Sequence, residues 1–508
     1  MYGLLWDAIV NLLQLKYLLP LVIGTVAGVV GGALPGVTIT MTVIIVLPFT
    51  FGLDPLQGLA AMTGVYVGGS AGGLVTATLL GIPGTPSSVA TTFDGFPMAK
   101  RGEAGRAMWL GVWSSLFGGL IGGVVLIAAT GPLAEVAVAF GPWEFFSLFI
   151  LALSMVAGLV GRSLLKGFLS GAIGLVVTVL GNDPVMGQPR LTLGIEFLEG
   201  GIPFLPVLIG VFAFAQIMGD VERIGRGGTL HESLDRAITL SVSHLKVIGE
   251  ILSRPLLLLW TSFIGVLIGV LPAIGGSAAN MMAYDQAKKL SRHPERFGTG
   301  TPEGIVASES ANNANVGGSL VTIMAFGIPG DAVTAVMLGA LTIHGIQSGP
   351  LFISQNTQIA YGIFAAYLLA HPIMALVIAL GARLMLRVVT VPKAALFPVV
   401  LVLCVVGAYA LGNNMSTVYV LLIFGLLGYA MVKVELPLAP LILGVILGDQ
   451  IETNLIRAIM TDADLWLFLT RPISGGLLAA SVASVAFALW QHRRQRGREL
   501  PDEEADDF

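Results

Sequence analysis

Apolar stretches of helical length follow one another from Leu18 almost to the C-terminus, separated by short polar or Gly/Pro-rich breaks. Trp109 to Thr130, Phe145 to Val160, Leu396 to Leu411 and Gly475 to Trp490 contain no charged residue. Runs of about 17 to 25 such residues are what a membrane-crossing helix requires, so the pattern predicts helices throughout. Two of the stretches are broken in the same way. Gly72-Gly73-Leu74-Val75-Thr76 leads to Gly81-Ile82-Pro83-Gly84, and Gly318-Ser319-Leu320-Val321-Thr322 leads to Gly327-Ile328-Pro329-Gly330. Only Gly73 has changed, to Ser319. Proline removes a backbone donor and glycine frees the backbone, so neither motif continues a helix.

The duplication extends along the chain. Gly32-Ala33-Leu34-Pro35 answers Gly269-Val270-Leu271-Pro272, and Pro203, Pro206, Gly210 and Val211 answer Pro437, Pro440, Gly444 and Val445. Gly161-Arg162-Ser163 falls where Gly412-Asn413-Asn414 stands, a weaker match. The expected organisation is an interfacial helix over 1–17, a first repeat over 18–220, a cytoplasmic linker over 221–253 and a second repeat over 254–449. An outer loop with a last membrane helix (450–491) and a cytoplasmic tail (492–508) follow. The linker carries Glu222, Arg223, Arg226, Glu232, Asp235, Arg236 and Lys246.

Basic residues indicate how the repeats are oriented. Lys100, Arg101 and Arg106 follow the first Gly-Ile-Pro-Gly, whereas His344 to Gln355, after the second, holds no Lys or Arg. At the Leu-Pro tips the contrast reverses: Pro48 to Gln57 is free of Lys and Arg, and Lys288, Lys289, Arg292 and Arg296 follow the second tip. Cytoplasmic loops hold the Lys and Arg, so equivalent loops lie on opposite sides and the repeats are expected to be inverted. Loops near Arg101, Arg162, Arg223, Lys288, Lys393 and Lys433 fall inside with the tail Arg493, Arg494, Arg496 and Arg498; those near Asp54, Glu135, Asp183, Gly349 and Asn413 fall outside. The map closes if Leu18 to Phe51 and Pro255 to Asp285 are re-entrant hairpins, giving about eleven crossings plus two hairpins with the N-terminus periplasmic. The alternative, one tilted span in each place, moves the N-terminus inside.

Composition agrees with a bilayer. The 508 residues are 55% hydrophobic and 11% charged, with a mean hydropathy of +0.88, against about 25% charged in a soluble domain. The net charge of −4 decides nothing, because the charges sit in loops. The single cysteine, Cys404, lies in an apolar stretch, which excludes an intramolecular disulfide or a thiolate metal site. Met1 to Leu19 is interrupted by Asp7, Asn11, Gln14 and Lys16 and reads as an amphipathic helix, not a cleavable signal. The acidic end, Pro501 to Phe508, is expected to be disordered. No zinc-spaced His/Cys set and no Gly-x-x-x-x-Gly-Lys phosphate loop occurs, so no transition metal, cofactor, ATP hydrolysis or nucleic-acid partner is expected.

Unwound backbone inside a membrane persists only where protein or a wet cavity satisfies it, and paired breaks in two repeats mark binding sites in transporters. The candidates for substrate binding are Thr38 and Thr40 at the first tip, Ser70, Thr85 and Ser87 at the first break, Ser277 and Asn280 at the second tip, and Asn312 and Asn313 before the second break. The candidates for cation binding are Thr76, Gly81 and Pro83, with Asn315, Ser319, Thr322, Gly327, Pro329 and Asp331. Freed carbonyls suit Na⁺, and half-helix N-termini suit a carboxylate. Taken singly, a Ser or Thr can equally bond back to its own helix and a Gly can serve packing; duplication in register needs more than that. Asp331 stands where the first repeat has Thr85, and Glu309 is a further proton or cation candidate, since intramembrane carboxylates are functional by default. His344 and His371 read as loop or packing histidines near the outer side, and Met41, Met281, Met282 and Met324 as packing residues. Arg162, Arg383, Arg387 and Arg457 read as helix ends, leaving no deep arginine for a substrate carboxylate.

Several of these segments resemble the large membrane subunit of the tripartite tricarboxylate transporters: Gly32-Ala33-Leu34-Pro35-Gly36, Gly68-Gly69-Ser70 through Gly84, Asp94-Gly95-Phe96-Pro97 followed by Arg106, and Glu309-Ser310-Ala311-Asn312-Asn313-Ala314 leading into Gly327-Ile328-Pro329-Gly330. The resemblance covers nearly the whole chain. It implies the translocation subunit of a secondary transporter in the bacterial inner membrane, importing organic carboxylates with Na⁺ or H⁺. It also implies two partners, a small four-helix membrane subunit and a periplasmic substrate-binding protein. A similarity to the wider ion-transporter superfamily implies elevator-type movement. Two other readings are open. A Na⁺/H⁺ antiporter would use Asp331 and Glu309 without organic substrate. An intramembrane aspartyl protease would need Asp285 and Asp449 together, yet the charge map puts them on opposite surfaces.

Overall fold

The structure is a computed structural model describing residues 2–34, 36–159, 163–183, 187–225, 240, 242–272, 274–388 and 393–496. Pro35, Gly161, Arg162, Arg226, Glu232, Asp235, Arg236, Arg498 and the acidic end lie outside the described residues, with the expectations that rest on them.

Nineteen helices of eight residues or more, counting the stretch around a π-helical segment as one, make up the described chain. The first nine are α1 (Tyr2–Leu12), α2 (Leu15–Ala33), α3 (Ile39–Val46), α4 (Pro55–Leu80), α5 (Val89–Met98), α6 (Ala104–Val138), α7 (Pro142–Leu159), α8 (Leu164–Val179) and α9 (Phe204–Glu222). Then come α10 (His244–Leu252), α11 (Pro255–Val270), α12 (Gly275–Leu290), α13 (Pro302–Phe326), α14 (Ala332–Ile343), α15 (Thr357–Val388), α16 (Lys393–Gly412), α17 (Met415–Lys433), α18 (Leu438–Thr461) and α19 (Pro472–Arg496). A two-residue antiparallel ladder, Gly181 with Arg190 and Asn182 with Pro189, closes the loop after α8.

The chain is an all-α polytopic membrane protein. Eight described helices are long and apolar enough to cross a bilayer, or nine if the pair α10 and α11, bent by 78°, counts as one span. Several boundaries differ from the sequence expectation. The first helix stops at Leu12 and α2 begins at Leu15, a few residues before position 18, and at 19 residues α2 is itself long enough to cross. The 221–253 segment contains α10, which packs on α6. Helix α18 runs past position 449 to Thr461 without a break. Gly and Pro punctuation dates the breaks well, but polar residues on a continuing helix look like loop.

The duplication reappears as duplicated contacts. Helix α2 lies so close to α4 that a Cβ on Gly28 would stand 2.3 Å from the Val65 carbonyl oxygen. In the second copy, a Cβ on Gly265 of α11 would stand 2.2 Å from the Ala311 oxygen of α13. One turn on, Gly32 meets Gly69 and Gly269 meets Asn315 in the same way. The repeats also interlock: α6 packs on α13 and α15 on α4, while α8 packs on α18 and α17 on α9. Without a hydrophobic drive between helices in lipid, such glycine-lined approaches carry the packing.

Helices α4 and α13 form the centre. The apolar window of α4 is wholly buried, and α13 is buried from Gly304 to Ala325 despite its serines, asparagines and Glu309. A helix that polar is stable inside only if its side chains find partners or a ligand.

Candidate functional site

Both central helices end on a left-handed glycine, Gly81 at φ 70° and Gly327 at φ 72°. Only glycine takes that conformation without strain. After each Ile-Pro-Gly the chain restarts with a reciprocal cap. In the first copy the Thr85 hydroxyl lies 3.1 Å from Ser87 Oγ, and Ser88 Oγ donates to the Thr85 carbonyl at 2.8 Å. In the second, Asp331 Oδ1 accepts from Thr334 N at 2.9 Å and the Thr334 hydroxyl accepts from Asp331 N at 2.9 Å. Gly84 and Gly330 are held against Gly32 and Gly269, so each break rests on its own repeat's tip.

The caps differ in charge. Asp331 lays a carboxylate against the positive end of α14, where an anion is stabilised; Thr85 caps the restart toward α5 with a neutral hydroxyl. The other Asp331 oxygen is hydrogen-bonded by the Tyr66 hydroxyl of α4, from the opposite repeat. The α14 N-terminus is thereby filled by the chain itself.

Helices α4 and α13 cross in opposite directions. Tyr66 reaches the residue just past the end of α13, Asn312 Nδ2 donates to the Ser70 carbonyl at 2.8 Å, and Leu74 and Glu309 flank Gly111 together. Advancing along α4 therefore means retreating along α13, the relation expected of inverted copies.

Because Asn312 spends its amide donor on Ser70, its Oδ1 is left as an acceptor; it faces Gly276 of the second tip, which also touches Ser87. Asn312 Oδ1 and Asn315 Oδ1 are buried without a hydrogen-bond partner in the protein, and the Ser319 hydroxyl is buried near Tyr66. At i, i+3 and i+7 they share one face of α13. Each orphaned buried acceptor costs about 1–3 kcal/mol, which a bound cation would offset with hard oxygen ligands.

The remaining candidates are placed as follows. Asn280 joins the cluster from α12, accepting from Ala90 N at 2.8 Å and donating to the Ser308 carbonyl at 3.2 Å. Thr76 and Thr322 bond back to backbone, Thr76 to Gly73 O and Thr322 to Gly318 O and Val270 O; their hydroxyls are spent holding the break. Thr38 caps α3 by accepting from Met41 N at 3.1 Å, Thr40 is buried beside it, and Ser277 is exposed on α12. Pro329 is buried and Pro83 half-buried. Asn313 faces away from the breaks, toward α6 and α15, where Tyr367 donates to its carbonyl.

Three features were missed in the sequence. Tyr66 lies 265 positions from Asp331 and nothing local marks it. His371, read as an outer packing residue, is wholly buried against Gly119. Asp94 accepts from the backbone of Gly298, Gly300 and Thr301 at 3.0, 2.7 and 2.8 Å and from the Tyr284 hydroxyl at 2.9 Å, tying α5 to the loop before α13. Arg101 secures the same loop through the Thr299 and Gly300 carbonyls. Among the described residues no cluster of three His, Cys, Asp or Glu suited to a metal ion occurs. Asp285 pairs with Lys289 at 2.5 Å, whereas Asp449 sits in the field of Arg190 and Glu452, so the two aspartates do not share a site.

Fold and site together define a polytopic membrane protein of transport type, with duplicated broken helices meeting at a buried polar centre. Residues 18–443 match the tripartite tricarboxylate transporter TctA family, and the chain belongs to that family. It is 34% identical over 471 residues to the "Uncharacterized 52.8 kDa protein in TAR-I ttuC' 3'region" of Agrobacterium vitis, covering 92% of each chain. It is also 35% identical over 226 residues to the "Uncharacterized protein in TAR-II ttuC' 3'region" of the same organism, covering 44% of this chain and 93% of that one. No solved structure matches.

Proposed function

We propose that this chain is the translocation subunit of a binding-protein-dependent secondary transporter, importing organic carboxylates across the bacterial inner membrane with Na⁺ or H⁺. Its partners are then a small four-helix membrane subunit and a periplasmic substrate-binding protein, with the N-terminus periplasmic and the C-terminus cytoplasmic. Family membership supports the transport role; the site supports its chemistry. The observation that carries the reading is the line of buried oxygens at Asn312, Asn315 and Ser319, which runs along α13 from the level of Ser70 and Ser87 to Gly330 of the second break. The amide oxygens of Asn312 and Asn315 and the hydroxyl oxygen of Ser319 are of the kind that ligates a hard cation. The carboxylate belongs instead at Thr85, Ser87 and Ser88, where the restart toward α5 has a neutral cap and its N–H groups stabilise negative charge. Asp331 already places a carboxylate at α14, whereas the first restart is met only by neutral groups, Thr85, Ser87, Ser88 and Asn280. Cation and substrate carboxylate then neutralise one another between the repeats, without a deep arginine.

The test is reconstitution with both partners and uptake of labelled carboxylates under imposed Na⁺ and H⁺ gradients. Uptake should require the binding protein and fall at least tenfold in Asn312→Ala. Cation exchange without uptake of any carboxylate would sink the reading in favour of an antiporter.

A further inference from the structure

A second buried polar cluster surrounds Glu309, one turn before Asn312 on α13, and meets the first at Asn280. Glu309 is wholly buried. Thr91 Oγ1 of α5 donates to its Oε1 at 2.5 Å, and Ser115 Oγ of α6 donates to its Oε2 at 2.9 Å. Thr91 in turn meets Ser308 Oγ at 3.1 Å and Asn280 Nδ2 at 3.4 Å. Among the described residues, the groups that meet Glu309 are neutral: Leu74 from α4, Thr91 from α5, Gly111 and Ser115 from α6, with Asn280 of α12 behind Thr91. Ser310, the next residue, is taken up by Thr261 of α11 at 2.7 Å.

One turn further along α6 and α13 the pattern continues. His371 Nδ1 lies 2.8 Å from the Tyr367 carbonyl, so that nitrogen carries the proton and Nε2 holds the lone pair. Nε2 points at Gly119, where a Cβ would stand 1.8 Å away, and has no partner in the protein. Asn313 donates through Nδ2 to the Glu309 carbonyl at 3.3 Å, leaving Oδ1 an orphaned acceptor. Tyr367 bridges this level by donating to the carbonyls of Gly119 and Asn313 at 2.9 and 3.2 Å. Ser114 Oγ, beside Ser115, is buried and unpartnered as well.

A buried carboxylate without a counter-charge is costly, whereas a carboxylic acid is not. Hydroxyls such as Thr91 and Ser115 can either donate to the ion or accept from the acid. A purely structural residue here would serve equally as Gln. We propose that Glu309 is the proton-binding group of this protein, and that His371, through the level of Asn313, is the second station of a proton route that adjoins the substrate site at Asn280. The route rests on the transport reading above and makes H⁺ a coupling ion. Its position explains how coupling works. The Glu309 carboxyl holds α5, directly past the first restart, against α6 through neutral hydrogen bonds. Loss of the proton leaves a buried charge with no counter-charge at that junction, so the protonation of Glu309 acts where α5 and α6 meet.

The experiment uses the complete transporter in proteoliposomes at zero Na⁺, with pyranine inside and labelled substrate outside. Wild type should acidify the lumen as substrate enters and should accumulate substrate under an inward pH gradient. Glu309→Gln should lose gradient-driven accumulation at least tenfold while still exchanging labelled for unlabelled substrate, and Glu309→Asp, which keeps a carboxyl, should recover gradient drive. His371→Asn should slow proton entry severalfold. Accumulation by Glu309→Gln equal to wild type would overturn the proposal, as would unchanged proton entry in His371→Asn. Wild-type uptake that follows Na⁺ and ignores the pH gradient would overturn it too, leaving the transport reading intact. Failure of wild type to exchange substrate at all would instead overturn that reading.

Discussion

At the scale of single residues, Asp331 has two separable roles, and substitution can part them. As the cap of α14 it contributes about 1 kcal/mol; as the partner of Tyr66 it ties the second break to α4 of the opposite repeat. Asp331→Thr copies the first repeat's cap and should leave thermal unfolding within about 1 kcal/mol of wild type, while cation dependence of uptake changes. Tyr66→Phe should act on uptake in the same direction, since it leaves the carboxylate without its hydroxyl donor. Unaltered coupling in both variants, measured as uptake against Na⁺ and H⁺ concentration, would remove this pair from the transport cycle. The asymmetry between Thr85 and Asp331 was legible by aligning the two copies. Tyr66 and His371 were not, because a partner on another helix leaves no trace in local pattern, and an isolated aromatic or histidine in an apolar run is most simply core. Glu309 was legible as an ionisable residue but not as a buried one, since Glu303, a turn and a half earlier, sits at a helix start among partners such as Arg254.

At the scale of elements, the duplicated motifs proved to be duplicated backbone contacts, and these set the strongest expectations about stability. A methyl at Gly28 or Gly265 meets a carbonyl oxygen of the neighbouring central helix at 2.3 or 2.2 Å, so something must move. Overpacking of this kind costs about 1–3 kcal/mol, and a displaced backbone gives less easily than a side chain. Gly28→Ala and Gly265→Ala should therefore lower the unfolding temperature in detergent by similar amounts. Gly131→Ala is the control. No atom lies within 4 Å of its added methyl, and relief of glycine's backbone freedom in a helix is worth about 0.5–1 kcal/mol; its unfolding temperature should rise. Equal tolerance at all three positions would show that α2 and α11 are not packed as described. The breaks themselves were readable because Gly and Pro act locally. The course of α18 past position 449 and the helix at His244–Leu252 were not, since helices that leave the apolar zone become polar without ending.

At the scale of the whole molecule, inversion is the organising idea, and two independent observations support it. Positive charge swaps between equivalent loops, and α4 crosses α13 in the opposite direction through Tyr66, Ser70 and Leu74. The two loops that flank the second break test the part of this map that concerns α13 and α14. The loop before α13 carries His293, exposed and 3.3 Å from Glu295. The loop after α14 carries the exposed Gln347. The single native thiol, Cys404, is buried and should not react with a membrane-impermeant maleimide. In intact cells the reagent should label Gln347→Cys and spare His293→Cys, which should become reactive only once the membrane is opened. Each loop joins its helices without an intervening long apolar helix: α12 leads to α13 and α14 to α15. The two labels therefore also bracket the second break, one from each side. If both cysteines react from outside, α13 and α14 enter and leave on the same face. The break would then not lie between two aqueous compartments, and alternating access through it would have no path.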